Sequence, residues 1–173
     1  MTATLDAAEL FRRLSSAGVD CVVIGGFAVV AHGVIRATKD LDICPSPARE
    51  NLARLAALLK DLRARQVGHD EFADNEFPLD PTDPDDLAVG GNFLVETNIG
   101  RLDVMQWVRG VDADDAYGQL AATAVTAEAF GVPITVASLA DLRRMKRAAG
   151  RPRDLQDLQD LAVAHGDEED HPR

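Results

Sequence analysis

A run of β-branched residues that stops at two glycines constrains this chain more than any other stretch. Val19 to Ile24 (VDCVVI) reads as a buried strand. Gly25 and Gly26 break it, and residues 27–33 read as a short helix ending at Gly33. Thirteen residues (FAVVAHGVIRATK) separate the glycines from a second predicted strand, Asp40 to Cys44. There two aspartates alternate with Leu41 and Ile43. Residues i and i+2 of a strand share a face, so Asp40 and Asp42 project together while Leu41 and Ile43 turn to the core.

The remaining elements follow from periodicity and caps. Residues 6–17 read as a helix: Asp6 and Glu9 suit a capping box, Ala7, Leu10, Phe11 and Leu14 share a face, and Gly18 is a natural stop. Ser46-Pro47 starts another, with Leu52, Leu55, Ala56, Leu59 and Leu62 as its apolar stripe. From His69 to Leu87 the chain is acidic and punctuated by prolines, and reads as a long loop. NFLVET and RLDVMQWV, joined across Asn98-Ile99-Gly100, read as a β-hairpin. A short helix is predicted over 112–121, and TAVTAEAF and VPITVAS pair as strands around Gly131. Ser138 with Asp141 caps a helix to Ala149, Gly150 and Pro152 interrupt it, and Asp154 caps a final helix carrying Leu155, Leu158, Leu161 and Ala162. Neither an internal repeat nor a long linker is visible. The pattern predicts one α+β domain over residues 1–165, with a core at 5–137 and a C-terminal helical segment at 138–165, then a disordered tail at 166–173.

Composition excludes several classes. No apolar run approaches the roughly 20 residues that span a bilayer, so no membrane association is expected. The start, MTATLDAAELFRR, lacks the basic and apolar regions of a secretory signal. Cys21 and Cys44 lie in apolar segments without metal-ligand spacing and read as reduced core residues of a cytoplasmic protein. A net charge of -11 argues against broad binding to nucleic acid. The charge is uneven, however. RRMKRAAGRPR, residues 143–153, gathers Arg143, Arg144, Lys146, Arg147, Arg151 and Arg153, and a phosphate-rich ligand would favour it over the acidic loop.

Two ionised carboxylates on one face repel each other. A divalent cation removes that cost, and hard Mg²⁺ prefers oxygen ligands; the other reading of Asp40 and Asp42 is a solvated strand end. Gly25-Gly26 lets backbone N–H groups approach a phosphate, or simply makes a tight turn. Arg36 offers its guanidinium fork to phosphate, or makes an intradomain ion pair. Thr38 lies beside it, just before the carboxylates. His32 reads as a capping or packing residue, or as a nucleotide contact. A two-metal site needs a third carboxylate that helps deprotonate an attacking hydroxyl. Asp103 is the candidate, because a charge among apolar strand residues is costly to bury unpaired. An ion pair with Arg101 is the competing explanation for it, and Glu96 on the partner strand is the fallback.

Taken together, Gly25-Gly26 and Asp40-Leu41-Asp42-Ile43 resemble the signature of the DNA polymerase β-like nucleotidyltransferase superfamily: Gly-Gly or Gly-Ser, a short spacer, then Asp-h-Asp-h with h apolar. More narrowly, GGFAVVAHGVIRATKDLDI, DPDDLAVGGNFLVETNIGRLDVMQ and VPITVASLADLRRMKRAAGRPRDLQDL look like small bacterial nucleotidyltransferase-like proteins related to abortive-infection-type toxins. The likeness covers most of residues 5–162. It implies a polymerase β-like fold, a mixed β-sheet flanked by helices with C-terminal helices. It implies that Asp40, Asp42 and Asp103 ligate two Mg²⁺ ions and carry catalysis. Gly25 and Gly26 would hold the triphosphate with Arg36 and Thr38 nearby, and Lys146 with Arg151 or Arg153 would neutralise its charge. Asp154 and Asp157 would hold the basic segment in place. Gly26 departs from the relatives whose Ser hydroxyl touches a phosphate at this position.

The implied activity moves a nucleoside monophosphate from an NTP such as ATP to an acceptor hydroxyl, releasing pyrophosphate. For a toxin-like enzyme the acceptor is RNA or protein, and an antitoxin partner enters. For an enzyme of the aminoglycoside or lincosamide type it is a small hydroxylated molecule; the acidic loop 70–86 reads first as a solubilising excursion, and otherwise would suit a polycationic acceptor. A non-catalytic nucleotide- or partner-binding module of the same fold is expected to have lost one of the three aspartates, and all three are present.

Overall fold

The computed structural model describes residues 3–67, 79–112 and 114–167. Helix α1 (Ala7–Ser16) starts where its capping signal predicts, the Asp6 carboxylate accepting the Glu9 N–H at 3.0 Å. Then come β1 (Cys21–Ile24), α2 (Gly25–Ala31), β2 (Asp40–Pro45), α3 (Arg49–Asp61), β3 (Arg65–Gln66), α4 (Pro84–Val89), β4 (Asn92–Thr97) and β5 (Gly100–Met105). The chain continues through α5 (Ala116–Thr123), β6 (Val125–Ala129), β7 (Val132–Val136), α6 (Leu139–Ala149) and α7 (Pro152–His165). The seven strands form one mixed sheet in the order β3-β4-β5-β2-β1-β7-β6. Strand β2 is antiparallel to β1 and parallel to β5. This is the mixed sheet with flanking helices expected from the sequence.

The core lies where the two periodicities meet. Leu41, Ile43, Leu102 and Val104 are fully buried on one face of β2 and β5, as alternation requires. Leu10, Phe11 and Leu14 of α1, and Leu52, Leu55 and Leu59 of α3, supply the helical stripes that join the same cluster. Cys44 is buried and Cys21 half-buried, both as free thiols. Burial pushes each thiol up to about 12, so neither is a nucleophile at neutral pH.

Several boundaries differ from the sequence expectation. Helix α2 begins at Gly25 itself, so the glycines are the first turn of the helix rather than a break before it. Gly25 makes that strand-to-helix corner with φ of +65°, a conformation costly for any other residue. Ser46-Pro47 does not cap α3; Ala48 does, with no side-chain bond. Buried Asn51 fastens this corner instead, accepting the Asp20 N–H at 2.7 Å and donating to the carbonyls of Asp20 and Ser46 at 2.9 Å each. The predicted acidic loop ends earlier than expected: Asp83 and Pro84 open α4, with the Asp83 carboxylate accepting the Asp85 N–H at 2.8 Å. Residues 68–78 of that loop, and residues 168–173 of the predicted tail, lie outside the described residues. Arg151, not Asp154, caps α7, because Pro152 takes the first helical position and leaves Asp154 to reach back to the Arg151 N–H at 3.2 Å. Among the described residues no helix is long and apolar enough to cross a membrane.

Candidate active site

Register places the acidic residues. In the parallel pair β2–β5, Asp40 lies beside Arg101 and Asp42 beside Asp103, while Leu41–Leu102 and Ile43–Val104 fill the opposite face. Three carboxylates and one guanidinium thus form a block on one face of the two neighbouring strands. Asp103 is bound at both oxygens by Arg101, Nε at 2.9 Å and the terminal nitrogen at 3.1 Å. Asp40 and Asp42 have no hydrogen bond or ion pair among the described residues. Glu96 stands opposite Arg101 on β4, one strand farther from Asp42, and pairs with Arg65 at 3.6 Å. Asp103, not Glu96, therefore neighbours the aspartate pair, and its ion pair with Arg101 is also present.

Charge is unbalanced here. Burial, then repulsion from Asp40 and Asp103, pushes the Asp42 carboxyl up to about 7. Burial also raises Asp103, opposed by the Arg101 hydrogen bond and charge and reinforced by Asp40. Arg101 in turn is held more firmly protonated, chiefly by its hydrogen bond to Asp103. Among the described residues no three His, Cys, Asp or Glu side chains are gathered closely enough to cage a metal as they stand.

The diglycine packs against these groups for two different reasons. A Cβ on Gly25 would sit 2.1 Å from the Asp42 Oδ2, so only glycine lets the backbone lie against that carboxylate. A Cβ on Gly26 would sit 2.5 Å from the Thr38 Oγ1 and 3.3 Å from the Arg36 guanidinium carbon. The Thr38 hydroxyl thus occupies the space a Gly26 side chain would need, and that oxygen is buried without a hydrogen-bond partner.

A cavity of about 370 Å³ opens beside Asp42. Asp42, Lys146, Arg151 and Asp154 give it a charged side, Ile24 and Gly25 the strand-to-helix corner, and Leu142, Met145 and Ala149 of α6 an apolar wall. Asn92, Met105, Trp107, Val108 and Arg109 complete the lining. Trp107, the chain's one tryptophan, is 63 % exposed there. The Asn92 side chain fixes this turn by accepting the N–H groups of Gln106 and Trp107, each at 3.0 Å.

Asp154 and Asp157 hold the basic segment, as expected. Lys146 is buried and bonds Asp154 at 3.0 Å and Asp157 at 2.8 Å. Arg36 donates to Asp157 at 2.5 Å, and Arg151 donates to Asp154 at 2.7 Å. Arg153 approaches Asp157 at 3.8 Å and does not line the cavity. Burial alone would raise Asp154, but hydrogen bonds from Arg151 and Lys146 outweigh it and hold the carboxyl below its usual range. Arg144 pairs with Asp141 at 2.9 Å, and Arg143 donates to the Gly166 carbonyl at 2.6 Å. His32 packs, with Nε2 2.8 Å from the Ala137 carbonyl. Of the expected phosphate contacts, Gly25 and Lys146 reach the cavity, along with Arg151. Arg36, Thr38 and Arg153 are turned to intramolecular partners or packing.

No protein-family model and no curated protein matches the chain by sequence. Solved structures do match in shape. The solution structure of the antibiotic-resistance factor ANT(2″)-Ia aligns over 91 % of this chain and 83 % of its own, at 19 % identity and a TM-score of 0.54. The crystal structure of ANT(2″)-Ia in complex with adenylyl-2″-tobramycin aligns over 91 % and 88 %, at 18 % identity and a TM-score of 0.56. A candidate nucleotidyltransferase of Thermotoga maritima aligns over 93 % and 96 %, at 17 % identity and a TM-score of 0.53. The chain therefore has the nucleotidyltransferase fold, as its signature predicts.

Proposed function

We propose that this protein is a nucleotidyltransferase that moves a nucleoside monophosphate from an NTP to a hydroxyl of a small, cationic acceptor. The observation that carries the proposal is the in-register block of Asp40, Asp42 and Asp103 against the bare Gly25 corner, at the edge of a cavity that also holds Lys146 and Arg151. In the reaction the acceptor oxygen bonds to the α-phosphorus, the bond from that phosphorus to the bridging oxygen breaks, and pyrophosphate leaves.

The donor set fits a divalent cation. The Asp40 and Asp42 carboxylates are unpartnered oxygen ligands; burial first and then repulsion from Asp40 raise the Asp42 carboxyl, and both are costs of ionisation that such an ion offsets. Asp40 and Asp42, joined by Asp103, would hold Mg²⁺, which would stabilise charge on the reacting oxygens. Lys146 and Arg151 line the same cavity and would face the triphosphate, while Gly25 lets the helix corner close against the Asp42 carboxylate. Positioning by these fixed groups supplies most of the expected rate gain.

Two observations favour a small cationic acceptor over RNA. The chain carries a net charge of -11, and much of the basic segment 143–153 is neutralised internally. The likeness to a protein solved with adenylyl-2″-tobramycin points the same way. The test incubates each α-labelled NTP and Mg²⁺ with an aminoglycoside panel, total RNA and total protein, using the wild type and Asp42→Asn. Label in an aminoglycoside, absent with Asp42→Asn, is expected. Label in RNA or protein would replace the acceptor, and no label from any NTP would sink the transferase assignment.

A further inference from the structure

Resting on that metal-site assignment, we infer that Arg101 is the resident counter-cation of the aspartate block and that a divalent ion must displace it from Asp103 to complete its ligand set. Both oxygens of Asp103 are committed to Arg101, whereas Asp40 and Asp42 are uncommitted. Metal coordination by Asp103 and its bidentate pairing with Arg101 compete for the same lone pairs. Three carboxylates surround the guanidinium by register: Asp40 beside it on β2, Asp103 two residues along β5, and Glu96 opposite it on β4.

Arg101 also has somewhere to go. Its side chain is 36 % exposed, against 7 % for Asp103. Glu96, its cross-strand neighbour, already pairs with Arg65 at 3.6 Å, and its side chain is 25 % exposed, so Arg101 would share it. A guanidinium released from Asp103 thus stays beside a carboxylate instead of being stranded in an apolar site. Asp40 and Asp42 engage the ion first, Asp103 joins last, and Arg101 sets the metal concentration at which the full site forms. It acts through Asp103 as a positioning residue.

The experiment measures Mn²⁺ binding to the nucleotide-free protein by electron paramagnetic resonance, for the wild type, Asp42→Asn, Arg101→Gln and Arg101→Lys. Thermal unfolding without metal confirms that each variant folds. Arg101→Gln is expected to bind Mn²⁺ about tenfold more tightly, the scale of one charge-assisted pair that no longer has to be broken. Arg101→Lys, which keeps the charge and loses the fork, is expected to fall between. Asp42→Asn is expected to abolish binding. Unchanged or weaker binding by both Arg101 variants, with Asp42-dependent binding by the wild type, would overturn the role of Arg101 and leave the metal site standing. Failure of every form to bind through Asp42 would overturn both.

Discussion

The molecule contains two acidic clusters, and the structure treats them in opposite ways. Asp154 and Asp157 are each 1 % exposed and are met by Lys146, Arg36, Arg151 and Arg153. Asp40, Asp42 and Asp103 have one direct ion pair, that of Arg101 with Asp103, and the charges of Lys146 and Arg151 oppose the rise of Asp42 only in part. The first cluster is densely met by positive charge, which holds the Asp154 carboxyl below its usual range, and its carboxylates act as joints between α6, α7 and the segment before β2. The second is short of positive charge, so burial and repulsion fall on Asp42. A cluster already met by four cations gains little from another; one short of positive charge is stabilised by accepting one.

Removing a carboxylate from each cluster should have opposite effects on folding. Asp157→Ala leaves Arg36 and Lys146 short of a buried partner and should cost about 3–5 kcal/mol of stability, read by urea unfolding. Asp42→Asn should lower nucleotidyl transfer roughly 10²–10³-fold, the scale of losing one fixed electrostatic group. The same variant should not lose stability in metal-free buffer; a loss like that of Asp157→Ala would erase the distinction between the clusters.

The pH dependence sharpens the contrast. Asp42 has a folded pKa raised from 3.8 to about 7, so its contribution to stability is fully present below 3.8 and is lost as pH rises through about 7. Metal-free wild type should therefore lose about 1–3 kcal/mol relative to Asp42→Asn between pH 4 and 7, and Mg²⁺ should flatten the difference. Asp154 is lowered, so its contribution is present above the ordinary carboxylate range and is lost only in stronger acid. Unfolding curves of Asp42→Asn and Asp154→Asn across pH test both signs.

The smallest expected effect lies between the clusters. Gly26→Ser would drive its Cβ to 2.5 Å from the Thr38 hydroxyl and crowd the Arg36 guanidinium that holds Asp157. A loss of about 1–2 kcal/mol is expected, with most of it restored by Thr38→Ala in the double variant. No restoration would show that Gly26 is required by something other than that hydroxyl.

Local chemistry made much of the architecture legible. The β-branched run, the alternation in DLDI and the Asp6 and Ser138 signals each act within a few residues, and they placed β1, β2, α1 and α6; periodicity placed α7, but with Asp154 in place of Arg151 as its cap. The pairing of Asp42 with Asp103 was readable only as a resemblance, because strand register is a long-range property. For Arg36 the sequence offered both a phosphate contact and an intradomain ion pair, and for Lys146 and Arg153 both the triphosphate and the Asp154 and Asp157 that hold the basic segment. A basic side chain looks the same in sequence whether it meets a phosphate or a buried aspartate, and only packing of α7 against α6 decides. The short β3 has two residues, too few for a periodic signal. Trp107 and Arg109 line the cavity through a turn after β5 held by Asn92, a contact across fourteen or more residues that no local pattern announces.

The buried position of Lys146 has a consequence for how the chain is made. Strands β1, β2 and β5, with their aspartates, are synthesised well before residues 154 and 157. Until those two leave the ribosome, Lys146 has no Asp154 or Asp157 to meet and must remain in water. The charged wall of the cavity is therefore the last part to set, and a nascent chain halted before Pro152 would carry its aspartate block beside an open flank.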